Sequence, residues 1–251
     1  MCNICSRSYK IKFYEADFKE KINLHSILNY VQEISGVHAE LLGCGYDQLE
    51  EDELFWVVSR MKVNMKRYPK WNEEITIETW PAGMDMMFFV RCFRIYDENK
   101  ELIGEVDGAY LLLNRSSLFP QKMDKLPKPL NVLGYRGKEY KRLDKFRLNR
   151  LKDFDKTYIM DRQVRYNDLD LNMHVNNVKY VEWVEDCFSL EDFQKYNIKE
   201  LQINFLKQVK FGEKVELYKY NNKEDNSCYI QGIKSGTNEE MFQCKVIFEN
   251  I

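Results

Sequence analysis

Met61-Lys62-Val63-Asn64-Met65-Lys66-Arg67-Tyr68-Pro69-Lys70-Trp71-Asn72-Glu73-Glu74-Ile75-Thr76-Ile77 is matched without a gap, 140 residues further on, by Leu201-Gln202-Ile203-Asn204-Phe205-Leu206-Lys207-Gln208-Val209-Lys210-Phe211-Gly212-Glu213-Lys214-Val215-Glu216-Leu217. Apolar residues recur at 61, 63, 65, 75 and 77 and again at 201, 203, 205, 215 and 217, and Asn64/Asn204, Lys70/Lys210 and Glu73/Glu213 are identical. Alternation with period two reads as a strand, so each copy predicts a strand, a polar connection and a second strand. The same shift sets Phe89-Val90-Arg91-Cys92-Phe93 on Tyr229-Ile230-Gln231-Gly232-Ile233, and Val106 on Val246. A repeat of this length predicts two structural units of one design.

Upstream of each copy the period changes to that of a helix. Apolar residues fall at 24, 27, 28, 31, 34, 37, 41 and 42, predicting a helix over Leu24 to Leu42, and at 175, 178, 181, 184 and 188, predicting a second. Asn23-Leu24-His25 and Tyr30-Val31 echo Asn172-Met173-His174 and Tyr180-Val181, at shifts of 149 and 150. Helices this apolar must be buried against a sheet. The expectation is an α+β fold, each half an opening strand, one long central helix and a run of antiparallel strands. The first half is expected over 1–125 and the second over 157–251. Residues 126–156, with little periodicity and two of the five prolines, read as a linker.

With 251 residues and 44% hydrophobic content the chain can bury a sizeable core. Its longest apolar runs, Ala109 to Leu113 among them, are far short of the ~20 residues a bilayer span requires. The first ten residues lack an apolar signal core, so a cytoplasmic location is expected. Seven cysteines without regular spacing argue against a disulfide framework, and Cys2-x-x-Cys5 has no second pair to complete a zinc site. No metal or other cofactor is expected. A net charge of −2 and the absence of any nucleic-acid-binding signature argue against a nucleic-acid binder. Between Gly134 and Lys156, however, nine basic residues face four acidic ones. That strip is either a solvated face or a docking site for an acidic partner, with Lys141, Arg142 and Lys145 as the residues to test.

The chemistry is concentrated in Asp170-x-Asn172-x-His174, directly before the second helix. An amide donor, an imidazole that exchanges protons near neutrality and a carboxylate are what attack on a carbonyl needs: a donor for the oxyanion, a base for water, and a group to orient either. Lying before a helix start, they would also benefit from its unpaired N–H groups. The plain structural alternative is a turn and an N-cap, a role open to Asn176 and Asn177 as well. His25 reads as structural or pocket-lining, and His38 as a satisfied helix residue.

The run Asp170-Leu171-Asn172-Met173-His174-Val175-Asn176-Asn177-Val178-Lys179-Tyr180 resembles the catalytic motif of the acyl-acyl carrier protein thioesterases, the family of the plant fatty-acyl thioesterases and their bacterial relatives. Thr79-Trp80-Pro81 followed by Arg91-Cys92-Phe93-Arg94-Ile95-Tyr96-Asp97 resembles that family's first domain. The resemblance implies a tandem of two hotdog domains and hydrolysis of fatty-acyl thioesters on acyl carrier protein during lipid synthesis. It implies catalytic roles for Asp170, Asn172 and His174, and an acyl pocket in the first half, for which Trp80, Met84, Met86 and Phe88 are the candidates. The sequence departs from the family at Gln208, where a glutamate is expected to handle the attacking water. An amide can position water but cannot take its proton. Acyl-coenzyme A hydrolysis and a non-hydrolytic acyl-binding module are the rival readings, and monomer and homodimer are both open.

Overall fold

The computed structural model describes residues 4–128, 130, 148, 156–222 and 227–251. The basic strip residues Lys141, Arg142 and Lys145, and most of the expected linker, lie outside them. The chain divides into two compact units: one takes the N-terminal part through Ser59 and resumes at Met65, and the other takes Arg60–Asn64 and the C-terminal part through Ile251.

In the first unit β1 (Cys5–Lys10) is followed by α1 (Leu24–Leu42) and a short α2 (Tyr46–Glu51), then by β2 (Leu54–Met65), β3 (Glu74–Asp85), β4 (Phe88–Tyr96) and β5 (Leu102–Asn114). The sheet order is β1-β3-β4-β5-β2. The helix spans the residues its apolar spacing predicts. Leu24, Ile27, Leu28, Val31 and Ile34 are buried along one stripe. It stops at Gly43, whose φ of 75° is open to glycine at little cost and whose amide turns back to the carbonyl of Ala39. Strands β3 and β4 pair with Ile77 opposite Ile95 and Thr79 opposite Phe93, and the register slips between Pro81 and Gly83. A bulge there is how the sheet tolerates a proline in mid-strand. Trp80, Phe93, Ile75 and Ile77 are fully buried, each apolar side chain contributing about 1.5–3 kcal/mol on transfer from water.

The second unit runs β6 (Thr157–Gln163), α3 (Asn177–Glu185), α4 (Leu190–Lys195), β7 (Tyr196–Phe205), β8 (Lys214–Asn222), β9 (Ser227–Lys234) and β10 (Glu240–Asn250). The strand order is β7-β10-β9-β8-β6, with Arg60–Asn64 antiparallel along the other edge of β7. Its central helix is shorter than α1, at 9 residues. Apolar Phe188 lies beyond it, edge-to-face with Phe248 at a centroid distance of 4.8 Å. Ser189 then caps α4, its hydroxyl accepting from the Asp192 amide at 3.1 Å. Val178, Val181 and Val184 of α3 are buried with Leu201, Ile203, Leu217, Ile230 and Phe242 from the strands. Gly232 is required by the last of these: a Cβ there would lie 2.2 Å from the Phe242 ring.

Each unit is thus one central helix packed with an antiparallel sheet, and the chain is a double hotdog. Among the described residues no helix is long and apolar enough to cross a membrane.

Candidate active site

Asp170, Asn172 and His174 come together in one tight turn that precedes α3. The Asp170 amide donates to the His174 carbonyl at 2.8 Å, and the Met173 amide donates to the Asp170 carbonyl at 3.1 Å. Asp170 Oδ1 accepts from the backbone amides of Asn172 at 2.8 Å and of His174 at 3.2 Å. A short acidic side chain that bonds amides two and four residues on is why Asp suits this position. Met173 closes the turn with φ 61°, left-handed backbone that costs a non-glycine residue about 1–2 kcal/mol. Leu171 and Met173 are exposed while Asp170, Asn172 and His174 are half-buried, so the three polar residues occupy alternate, inward positions.

This geometry refines what the sequence suggested. Asp170 does not cap the helix: Asn176 does, its side chain accepting from the Val178 amide at 2.9 Å. The motif ends before the helix begins, and it is the carboxylate's grip on the turn, rather than the first helical N–H groups, that sets Asn172 and His174. Both present unfilled polar atoms. Asn172 Oδ1 and His174 Nδ1 are closed off from solvent and have no hydrogen-bond partner. The imidazole is held below its ordinary pKa of 6.5, first by burial, against which Asp170 pulls upward and to which Lys210 adds a further lowering. It is therefore neutral at physiological pH and able to accept a proton.

The segment after β7 supports the turn. The Val175 amide donates to the Val209 carbonyl at 3.0 Å, and Lys210 bridges His174. The Val209 backbone also bonds the phenol of Tyr180, whose ring is tilted against Trp183 and edge-to-face with Phe205 and Phe242. Gln208 lies in this segment, in the loop beyond the end of β7, with an exposed side chain. Lys210 and Val209 were not singled out from sequence, although Lys210 is one of the identities in the repeat.

The same turn is present in the first unit. The Asp17 amide donates to the Lys21 carbonyl at 2.7 Å, Asp17 Oδ1 accepts from the amides of Lys19 at 2.8 Å and Lys21 at 3.1 Å, and Glu20 has φ 62°. The Ile22 amide donates to the Pro69 carbonyl at 3.0 Å, as Val175 does to Val209. The true register between the two turns is therefore 153, which sets Asp17 on Asp170, Lys19 on Asn172 and Lys21 on His174. This corrects the echo at 149 and 150, which paired His25 with His174. His25 lies inside α1, past the turn. The scaffold is duplicated, but the amide and imidazole occur only in the second copy.

The pocket candidates of the first unit are spread apart. Trp80 is 0% exposed in the core, with Arg94 5.5 Å from its ring, so it is closed to a ligand in this structure. Met84 packs on a cluster of Ala39, Cys44, Leu49, Leu54, Phe89 and Leu112. Met86 is 91% exposed at the tip of the β3–β4 hairpin, with φ 53°, and so lines no interior surface. Phe88 is half-buried at the start of β4. His38, read as satisfied, is only half so. Its Nδ1 meets Arg91 Nη1 at 2.8 Å, while its buried Nε2 has no partner.

The profile of the acyl-ACP thioesterase N-terminal domain matches residues 3–125 and that of the acyl-ACP thioesterase C-terminal domain matches residues 151–250. The chain belongs to the acyl-ACP thioesterase family. Among curated relatives it is 27% identical over 216 residues to a chloroplastic dodecanoyl-[acyl-carrier-protein] hydrolase of Umbellularia californica, covering 80% of this chain and 55% of that one. It is 26% identical over 232 residues to a chloroplastic oleoyl-acyl carrier protein thioesterase of Coriandrum sativum, covering 83% and 61%. The chain thus spans somewhat over half the length of these relatives. Two solved structures share the fold. An acyl-ACP thioesterase of Bacteroides thetaiotaomicron superposes with a TM-score of 0.86 at 23% identity, covering 98% of each chain. The 12:0-ACP thioesterase of Umbellularia californica gives 0.78 at 20% identity, covering 100% of this chain and 99% of that one.

Proposed function

We propose that this chain hydrolyses fatty-acyl thioesters carried on acyl carrier protein, releasing the free fatty acid. The observation that carries the reading is that Asp170, by accepting from both backbone amides, sets Asn172 and His174 in the same tight turn, in one copy of a duplicated scaffold whose other copy has lysines there. Family membership and the names of the relatives support it.

The chemistry follows from the groups present. The Asn172 amide N–H hydrogen-bonds the thioester oxygen and stabilises the charge that gathers there as the carbonyl is attacked. Neutral His174 removes the proton from the attacking water, and the tetrahedral intermediate collapses with loss of the thiolate, a leaving group that needs little protonation. Asp170 acts as a positioning residue through the backbone and stabilises the imidazolium as it forms. Gln208, adjacent to the Val209 anchor, holds water without taking its proton, so the base role rests on His174. The remaining expectations join the proposal: residues 1–125 and 157–251 as the two domains, the basic strip at Lys141, Arg142 and Lys145 as the carrier-docking site, and a cytoplasmic setting.

The test is thiol release from acyl-carrier thioesters of graded chain length by wild type and His174→Ala. A fall of about 10²–10⁴ in kcat for the variant is expected if the imidazole is the base. Tight binding of acyl carrier without release in either protein points instead to an acyl-binding module, and equal kcat/KM on coenzyme A thioesters removes the carrier preference.

A further inference from the structure

Four aromatic side chains that the first unit leaves outside its core are gathered on neighbouring loops. Phe13 and Tyr14 stand in one turn of 3-10 helix after β1, Phe18 in the Asp17 turn, and Trp71 in the loop between β2 and β3. Backbone bonds hold these segments together. The Ile11 amide donates to the Glu73 carbonyl at 2.9 Å, the Asn72 amide to the Ile11 carbonyl at 3.1 Å, and the Trp71 amide to the Glu20 carbonyl at 2.8 Å. Phe13 lies edge-to-face with Trp71 at a centroid distance of 5.5 Å. Phe13 is 75% exposed, Tyr14 81%, Phe18 55% and Trp71 49%. Rings this exposed stand proud of their surroundings, so they form a crown rather than a groove. Together they offer on the order of 500 Å² of apolar surface, at about 200 Å² per ring side chain.

Isolated apolar residues are ordinary on a surface, but a cluster of this size marks a contact. The second unit has exposed apolar residues at the corresponding positions, Tyr166, Leu171 and Phe211, which flank the reactive turn and belong to the site already described. The Asp17 turn has lysines where that site has its amide and imidazole, so its crown serves no bond-breaking step.

The charges around the crown are sorted by sign. The side chains of Lys10, Lys12 and Lys70 are exposed at its edge, and Lys19 Nζ lies 5.7 Å from the centroid of the Phe18 ring. Three of the carboxylates are turned to internal use. Glu15 accepts from the Lys12 amide at 2.7 Å and from the Tyr30 phenol at 2.5 Å, Asp17 from the amides of its own turn, and Glu73 pairs with Arg67 at 2.8 Å. Of the acids in these segments, Glu20 and Glu74 are exposed. The outward face is therefore aromatic with a basic fringe. A stable protein complex buries ~800 Å² on each side, more than the crown offers, and seats protruding rings in matching pockets. A bilayer interface requires neither: aromatic rings settle at headgroup depth, and lysines beside them meet anionic phosphates.

We infer that the crown of Phe13, Tyr14, Phe18 and Trp71, fringed by Lys10, Lys12 and Lys70, is a docking surface for an anionic lipid bilayer, which the first unit touches with its loop tips and does not span. The inference stands apart from the thioesterase reading.

Co-sedimentation with vesicles tests it on the intact chain. Partition onto equimolar phosphatidylglycerol and phosphatidylcholine should be at least about tenfold stronger than onto phosphatidylcholine alone. Trp71 reports the contact directly, because Trp80 and Trp183 are buried and Trp56 packs on a core cluster. Its emission should move to shorter wavelength on binding and be quenched by brominated lipid. Trp71→Phe should remove both signals while keeping partition within about twofold. Phe13→Ser combined with Trp71→Ser, and separately Lys12→Glu combined with Lys70→Glu, should each weaken partition at least about tenfold. Absence of wild-type partition onto the anionic vesicles overturns the proposal without any variant. Partition that leaves Trp71 emission unchanged, or that either folded double variant retains in full, overturns it equally. Self-association, or binding of acyl carrier protein, that the ring substitutions abolish while vesicle partition persists assigns the crown to a protein partner and overturns it as well.

Discussion

Asp170 and His174 hold each other twice through the backbone. The Asp170 amide donates to the His174 carbonyl at 2.8 Å, and the His174 amide donates to Asp170 Oδ1 at 3.2 Å. The carboxylate therefore shapes the turn, and the imidazole is carried by it. Asp170→Ala removes two charge-assisted hydrogen bonds and should cost about 2–4 kcal/mol of stability in a urea titration. It should also lower kcat, whereas Asp17→Ala, which removes the same pair of bonds from the other copy, should lower stability by a similar amount and leave kcat within about twofold. Equal loss of kcat from both would contradict the assignment of chemistry to the second turn.

Because the first turn folds with lysines at 19 and 21, the second should tolerate them. Asn172→Lys combined with His174→Lys is expected to keep the unfolding midpoint within about 1 kcal/mol of wild type, as typical substitutions at half-exposed positions do, while hydrolysis falls to background. Circular dichroism melts alongside thiol-release assays check both halves of the statement.

The acid limb of the rate profile follows from the direction in which His174 is shifted. Its pKa in the folded protein lies below 6.5, and in the proposed mechanism the neutral ring is the base, so kcat/KM should stay level as pH falls to 6.5 and decline only below it. Lys210→Glu replaces a cation that lowers the pKa with an anion that raises it, and should move the limb to higher pH. A profile unmoved by Lys210→Glu would show that the two do not interact.

His38 makes a separate statement about stability. Its folded pKa of about 4 lies below the ordinary 6.5, so the unfolded chain binds a proton that the folded one refuses in between. The stabilisation is complete above pH 6.5 and is lost as pH falls toward 4. Denaturant titrations across that window should show the decline, and His38→Gln should flatten it.

Gln208→Glu introduces a base beside the Val209 anchor. If the loop after β7 holds the attacking water, the variant should change kcat at least several-fold with little effect on KM. Identical kinetics in the two proteins would show that the position takes no part.

The strands and α1 were legible because burial imposes periods of two and 3.6 on the sequence, and the gapless repeat came from loop lengths that the two units share. The nine-residue α3 was not, since Phe188 continues the apolar spacing into a segment that turns. The pairing of the two turns was missed for a different reason. Letters were matched, so Asn23-Leu24-His25 drew the eye, while the Asp17 turn keeps only its acid, its backbone bonds and its left-handed fourth residue. Arg91 and His38 were individually visible in the sequence, but a contact between residues 53 apart exists only in three dimensions.

The turn that Asp17 organises keeps its shape with neither of the groups that would make it react. Form and reactivity are therefore encoded by different letters, the acid at the head of the loop for the first and the second and fourth residues after it for the other. In the proposed mechanism, the difference between the two copies lies in two side chains, with no new backbone to invent.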